Sequence, residues 1–107
     1  MLIPPDKLAR LDLNLLVTLQ ILIEERNVTR AAERLFITQP AMSRTLSRLR
    51  DLFDDPLFTR AARGLVPTPR CEELEQQLPE LLTAVAKVVS PVEFDPATFE
   101  YTFRIAV

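Results

Sequence analysis

The sequence predicts a mainly α-helical chain: a three-helix core, a two-stranded hairpin and a long final helix. Apolar residues recur at intervals of three and four through about residues 12–26, 38–53 and 69–90, the spacing of one buried helix face. Between the last two ranges, short alternating segments surround Gly64, the only glycine among 107 residues. With 48% apolar residues, the chain can bury one modest core.

Positive charge is concentrated in residues 26–70. This range holds nine arginines and four carboxylates, a net charge of +5, whereas the rest of the chain holds four basic and eleven acidic residues, a net charge of −7. The overall charge of −2 therefore hides a polarised molecule. Local positive charge favours a focused contact with an anionic partner over general coating of nucleic acid or membrane.

The composition disfavours an enzyme. The chain has one cysteine, Cys71, and no histidine, which excludes an internal disulfide, an all-cysteine metal site, histidine-ligated zinc and imidazole catalysis. We therefore expect no catalytic residues, no cofactor and no metal. Cys71 is expected to be a small core residue.

The N-terminal region superficially imitates an export signal, because Lys7 and Arg10 precede the apolar run 13–23. The run contains polar residues, ends in Glu24-Glu25-Arg26, lacks a small-residue cleavage site and is too short to span a bilayer. We interpret it as a buried helix of a cytoplasmic protein that makes no membrane contact.

The first long helix is expected to begin after Asp12, its N-cap, and to end near Arg26. Residues 1–11 are expected to be a loose lead-in, because Pro4-Pro5 disfavours an early helix. Apolar residues nearly surround the helix, which suggests that it is covered twice. It is either the central helix of a monomer or, as we favour, also a contact with a second chain, through Leu16 and Leu19.

Two short helices joined by a tight turn are predicted next. Asn27 caps the first, whose paired alanines 31 and 32 allow close helix crossing. Phe36-Ile37 is expected to form the turn and anchor it in the core. Thr38 caps the second helix, and Pro40 lies in its first turn at no cost in hydrogen bonds.

The helix after Thr38 has two distinct faces. Its buried stripe is predicted to comprise Met42, Leu46, Leu49 and Phe53. Arg44, Ser47 and Arg48 point away from that stripe, and Gln39 and Ser43 lie on its flank. A solvated charged face is the ordinary interpretation of such a helix alone, but the accompanying turn, capped partner helix and hairpin favour contact with base edges and phosphates.

The hairpin is predicted from strands 57–60 and 65–68 around Ala61–Gly64, with Gly64 supplying a positive φ. Arg60 and Arg63 lie at or near the tip, where arginines can enter a narrow minor groove. For the hairpin alone, arginines that merely solubilise a loop are the alternative.

A long helix begins at Thr68-Pro69. Its apolar residues at three-and-four spacing predict a self-association seam that includes Leu74, Leu78, Leu81 and Val85. Pro79 is expected to kink this helix or split it at Leu78. Residues 101–107 alternate as a strand does, and we interpret them as the opening strand of a further domain.

Several of these segments, in this order, resemble the DNA-binding half of the LysR-type transcriptional regulators, particularly the subgroup of the nodulation regulators. The matching pieces are Leu11–Leu16, Asn27–Leu35, Thr38–Ser43 and Asp54–Arg60 leading to Gly64. The resemblance covers residues 12 to about 90. It implies a winged helix-turn-helix over residues 1–68, a linker and dimerisation helix over 69–90, and a hinge with the first strand of an effector-binding domain over 91–107.

The resemblance also implies roles for individual residues. Base or adjacent phosphate contacts in the major groove fall to Gln39, Pro40, Ser43 and Arg44, to which the helix geometry adds Ser47. Phosphate anchors, on geometry and likeness together, are Thr29, Arg30, Thr38 and Arg48, and Arg60 and Arg63 belong to the wing near the minor groove.

The expected partner is double-stranded DNA carrying an interrupted inverted repeat, bound by a homodimer that forms through the linker helix. A tetramer of the full-length protein, contact with RNA polymerase and association with the nucleoid are further expectations. The competing hypothesis is a helical protein-interaction module that docks an acidic partner through its arginine face.

Overall fold

The computed structural model describes residues 3–90. It confirms a mainly helical chain with a two-stranded antiparallel sheet. The elements are α1 (Pro5–Leu8), α2 (Asn14–Glu25), α3 (Val28–Arg34), α4 (Gln39–Phe53), β1 (Phe58–Ala61), β2 (Gly64–Pro67) and α5 (Pro69–Val89). One compact unit ends at Gln76, within α5, and a second begins at Gln77. The strand expected at 101–107 lies outside the described residues.

The lead-in before α2 differs from the prediction, because it contains the helical turn α1. Pro5 stands at the first helical position, where a missing N–H costs nothing. Helix α2 begins at Asn14, slightly later than predicted, yet Asp12 still satisfies its free end: Asp12 Oδ1 accepts a hydrogen bond from the Asn14 N–H at 2.9 Å. None of the helices between residues 3 and 90 is both long enough and apolar enough to cross a membrane.

The core of the first unit is formed where α2, α3 and α4 pack together. Leu19, Leu22, Met42 and Leu49 are completely buried there, which confirms the predicted stripe of α4 as far as Leu49. Phe53, the last predicted member, is half-buried, and the Arg70 guanidinium carbon lies 5.7 Å from its ring centroid.

The turn between α3 and α4 is not anchored by its aromatic residue, contrary to the prediction. Phe36 is 94% exposed and Ile37 is 38% exposed. Backbone hydrogen bonds close the turn instead: the Phe36 N–H donates to Glu33 O at 3.1 Å and the Ile37 N–H donates to Ala32 O at 3.0 Å. Phe36 has a φ of 57°, a left-handed conformation that ends the helix and turns the side chain outwards.

The hairpin pairs Phe58 with Pro67 and Ala61 with Gly64, so its turn consists of Ala62 and Arg63. Gly64 therefore belongs to β2 and not to the turn, although its φ of +117° is positive as predicted. A Cβ atom at Gly64 would lie 2.5 Å from the carbonyl oxygen of Arg26. The glycine is required because the hairpin packs closely against the end of α2.

Helix α5 starts as predicted: Thr68 Oγ1 accepts a hydrogen bond from the Cys71 N–H at 3.2 Å. Of the two effects expected of Pro79, a kink or a split at Leu78, the split does not occur, because the helix continues through Pro79. A proline removes one backbone donor, but its fixed φ is close to that of a helix. Cys71 is a core residue, as expected, and burial raises the pKa of its thiol to about 11.

Candidate nucleic-acid interface

The nine arginines of residues 26–70 divide into two groups in the structure. Five of them are engaged by other parts of the chain. Arg26 pairs with Glu75 (3.3 Å), Arg34 with Glu24 (2.6 Å), Arg70 with Glu73 (3.3 Å) and Arg48 with Asp12 (3.9 Å), and Arg50 Nε donates to Pro56 O (2.8 Å).

The other four, Arg30, Arg44, Arg60 and Arg63, are exposed and have no carboxylate partner within residues 3–90. They lie on α3, on α4, on β1 and in the hairpin turn. Because no nearby carboxylate neutralises them, their charge is available to an anionic partner. The chain sequence could not separate these four from the five engaged arginines.

Helix α4 exposes the residues predicted to meet the major groove. Gln39, Pro40, Ser43, Arg44 and Ser47 are all exposed, and Thr38 Oγ1 caps the helix by accepting the Ala41 N–H at 3.2 Å. The buried face described above fixes the rotation of the helix, so these polar side chains must turn to solvent.

The start of α3 exposes Thr29 and Arg30. Asn27 Oδ1 accepts the Arg30 N–H at 2.9 Å and thus caps this helix as predicted. Nearby Arg34 has a structural role, because it binds both Glu24 and Glu25 of α2. A hydrogen bond from Gln20 and another from Arg34 hold the pKa of the Glu24 carboxyl below its ordinary value.

Arg48 is exposed but less free than the other predicted phosphate anchors. Its guanidinium lies 3.9 Å from Asp12, and both side chains are largely solvated. Such an exposed pair contributes little energy and can be exchanged for another partner. Arg48 would have to leave or share Asp12 to bind a phosphate, whereas Arg30 has no carboxylate partner within residues 3–90.

An open concavity of about 170 Å³ brings three predicted site residues together. Thr29 of α3, Gln39 of α4 and Arg60 of β1 line it, along with Asn27. The sequence assigned these three residues to three different roles. Their common location depends on how the hairpin packs beside the helices, and no local pattern in the sequence could have indicated it.

The residues predicted for a dimer interface also divide. Leu19 is completely buried, and Leu74 and Leu78 are nearly so; contrary to the prediction, they have almost no surface to offer a second chain. Leu16 is half-buried. Leu81 and Val85 are each 44% exposed, and Val88 is 84% exposed. The apolar spacing showed a buried face but could not show what buries it.

Comparison with known proteins follows this geometry. The model of the family described as "Bacterial regulatory helix-turn-helix protein, lysR family" matches residues 13–72. The chain is 55% identical over 83 residues to HTH-type transcriptional regulator SyrM 2 of Sinorhizobium fredii, covering 78% of this chain and 24% of that protein. It is 49% identical over 96 residues to Nodulation protein D 1 of Bradyrhizobium sp., covering 89% and 31%. The chain thus spans about a quarter to a third of the length of these relatives.

Solved structures agree with this assignment. The probable transcriptional regulator PA0477 from Pseudomonas aeruginosa superposes with a TM-score of 0.72 at 40% identity, covering 83% of this chain and 30% of that one. BenM DBD in its complex with catB site 1 DNA gives a TM-score of 0.69 at 29% identity, covering 90% and 97%. The names of these relatives describe regulators and not enzymes, in agreement with the expectation from composition. The winged helix-turn-helix, its capped helices and the sequence matches lead to one conclusion: the chain belongs to the lysR family of bacterial regulatory helix-turn-helix proteins.

Proposed function

We propose that this chain is the sequence-specific, double-stranded DNA-binding part of a cytoplasmic transcriptional regulator and that it binds as a homodimer. The observation that carries this proposal is the group of four exposed arginines, Arg30, Arg44, Arg60 and Arg63, that have no carboxylate partner within residues 3–90. They give an overall acidic chain exposed positive charge suited to a polyanion.

The exposed face of α4 supplies the means of reading sequence. A major groove admits one α-helix, and a guanidinium, amide or hydroxyl there can distinguish base pairs by hydrogen bonding. Arg44, Gln39 and Ser43 offer those three groups on the N-terminal half of the helix. The likeness to BenM DBD, whose solved complex contains DNA, supports DNA binding by this chain.

The homodimer is proposed through the linker helix, residues 69–90. Leu81, Val85 and Val88 expose apolar side chains at intervals of four and three, and so share one face of α5. Two copies related by a twofold axis would present two α4 helices symmetrically. The matching operator is therefore an inverted repeat with an interruption between its half-sites.

Selection from random duplex DNA by the purified chain tests the proposal. Sequence-specific binding predicts enrichment of a dyad-symmetric site. The logarithm of the affinity should fall linearly with the logarithm of the salt concentration, with a slope of about −0.9 for each phosphate contacted. Enrichment without a common sequence would contradict specific recognition. Strong binding to an acidic peptide, with none to DNA, would favour the interaction module that docks an acidic partner.

Substitution of Arg44 tests direct base recognition. Arg44→Ala should cost about 1–3 kcal/mol on the selected site and relax discrimination at one base position, if the guanidinium contacts a base edge. Arg70→Ala is a matched control, because Arg70 is exposed but pairs with Glu73. An equal loss for Arg44→Ala on selected and random duplexes, measured by fluorescence anisotropy, would rule out base reading by this residue.

A further inference from the structure

We infer that Arg60 and Thr29 hold one backbone phosphate of the DNA in the concavity between the hairpin and the two helices, which Gln39 also lines. The sequence had placed Arg60 with Arg63 near the minor groove. In the structure the two arginines occupy different positions, and Arg63 alone stays at the tip of the hairpin. This inference rests on the proposed function and assigns one ligand group within it.

The direction of the Arg60 side chain follows from strand geometry. Alternate residues of a strand share a face, and residues paired directly across two strands also share a face. Phe58, two positions before Arg60, is buried, as is Leu65, which pairs with Arg60. Arg60 thus lies on the side of the hairpin that faces the helices, in agreement with its place in the lining of the concavity.

The chemistry of the lining suits a phosphate. It contains one cationic side chain, Arg60, and no carboxylate. The Arg60 guanidinium can donate two parallel hydrogen bonds to phosphate oxygens, and the Thr29 hydroxyl is a further donor. The Asn27 side-chain oxygen Oδ1, which would repel an anion, already accepts a hydrogen bond from the Arg30 N–H.

A second and larger concavity of the same unit provides the contrast. Its lining contains Lys7, Arg10 and Arg48, but also Asp12 and Asp51. There Arg48 lies 3.9 Å from a carboxylate oxygen of Asp12, so part of the positive charge is neutralised by the protein itself. Between these two concavities, the smaller one is the seat for an anion.

The test replaces single phosphates of the selected duplex by neutral methylphosphonates, one position at a time, and measures the affinity of the 107-residue chain for each duplex. The variants are Arg60→Ala and Thr29→Val, and Arg63→Ala is the matched control from the same hairpin. Circular dichroism of each variant confirms that the fold is retained.

We expect one phosphate in each half-site at which methylphosphonate weakens the native chain but leaves Arg60→Ala and Thr29→Val unchanged. Arg63→Ala should keep the full loss at that phosphate. In addition, the affinity of the native chain divided by the affinity of Arg60→Ala should fall by about 3.5-fold as the salt concentration rises from 50 to 200 mM. This is the change expected when Arg60→Ala removes one phosphate contact.

Two results would overturn the inference. In one, methylphosphonate at every phosphate weakens Arg60→Ala as much as it weakens the native chain, and the affinity that Arg60→Ala loses depends on the A·T content beside the half-site. This result would place Arg60 in the minor groove. In the other, Arg60→Ala and Thr29→Val become insensitive to methylphosphonate at different phosphates, so the two residues do not share a ligand. A native chain that selects no duplex at all would instead overturn the proposed function, and the selection shows this before any variant is made.

Discussion

Arg26 connects three parts of the first unit at the scale of a single residue. Its φ of 53° ends α2, its carbonyl oxygen accepts the Leu65 N–H of the hairpin at 2.9 Å, and its guanidinium binds Glu75 of α5 at 3.3 Å. The carbonyl can approach the hairpin only because Gly64 has no side chain. The position of the wing beside the helices therefore depends on one glycine.

Gly64→Ala should destabilise the chain by about 1–3 kcal/mol, because alanine is strained at a positive φ and its Cβ would meet the Arg26 carbonyl. Urea unfolding followed by circular dichroism measures the change. Ala62→Ser in the exposed turn is the control and should change stability by less than about 0.5 kcal/mol. Equal midpoints for the two variants would show that the close approach is unimportant.

At the scale of elements, Asp55 joins the end of α4, the hairpin and the start of α5. Its Oδ2 accepts the Leu57 N–H at 2.8 Å and the Thr68 hydroxyl at 2.7 Å, and the same Thr68 oxygen caps α5 by accepting the Cys71 N–H. Leu57 is completely buried with a φ of 65°, a costly conformation for a leucine. The hydrogen bonds from Asp55 hold that strained junction in place.

Asp55→Ala should cost about 1–3 kcal/mol of folding free energy, because it leaves the Leu57 N–H and the Thr68 hydroxyl without this acceptor. Asp51→Ala on exposed α4 surface serves as the control. Chemical unfolding of both variants gives the comparison. If Asp55→Ala lowers the free energy of unfolding as little as Asp51→Ala does, water replaces the carboxylate as the hydrogen-bond acceptor.

The link between α2 and α3 predicts a dependence on pH. Gln20 and Arg34 lower the pKa of Glu24 from its ordinary value of 4.5. A carboxyl of lowered pKa stabilises the fold above its ordinary pKa, and that contribution is lost as pH falls through the lowered value. Titration by NMR should place Glu24 below 4.5, and Arg34→Ala should raise it.

Arg30→Ala is the control for this titration, because Arg30 is on the same helix and makes no ion pair with Glu24 within residues 3–90. It should leave the Glu24 titration unchanged. A Glu24 midpoint that Arg34→Ala does not move would contradict the role given to the ion pair.

At the scale of the whole molecule, two surfaces of opposite character are used for two proposed partners. The first unit carries the four arginines that have no carboxylate partner in the described part of the chain, and the second unit carries the exposed apolar residues Leu81, Val85 and Val88 of α5. Exposed apolar side chains sharing one helix face are typical of a contact between chains. Substitutions in α5 should therefore abolish self-association while leaving these arginines unchanged.

Leu81→Glu and Val85→Glu should each shift the chain from dimer to monomer in sedimentation equilibrium, because each places a charge in the apolar seam. Thr83→Glu is the control, since Thr83 is exposed and lies about 200° around the helix from Leu81 at 100° per residue. Monomers should also bind an inverted repeat more weakly than the native chain. A dimer that survives both substitutions would place the interface elsewhere.

The starts of α3, α4 and α5 were predictable from the sequence because each cap acts within three residues. Asn27, Thr38 and Thr68 accept the N–H groups of Arg30, Ala41 and Cys71. The turn of the hairpin was predicted less well, because both strands lie one residue away from their predicted ranges. Gly64 is needed for the close approach to the carbonyl oxygen of Arg26, which is distant in sequence, and does not belong to the turn.

The sequence by itself determined the apolar stripes of the helices, their caps, the exposed face of α4 and the family. All of these depend on which residues follow one another at short intervals along the chain. Only the tertiary structure decided that Leu19 is buried within the core and that Phe36 turns outwards. It also decided which arginines are neutralised by carboxylates. It also decided that Thr29, Gln39 and Arg60 share one concavity. These outcomes depend on distances between residues far apart in the chain, which spacing along a sequence does not contain.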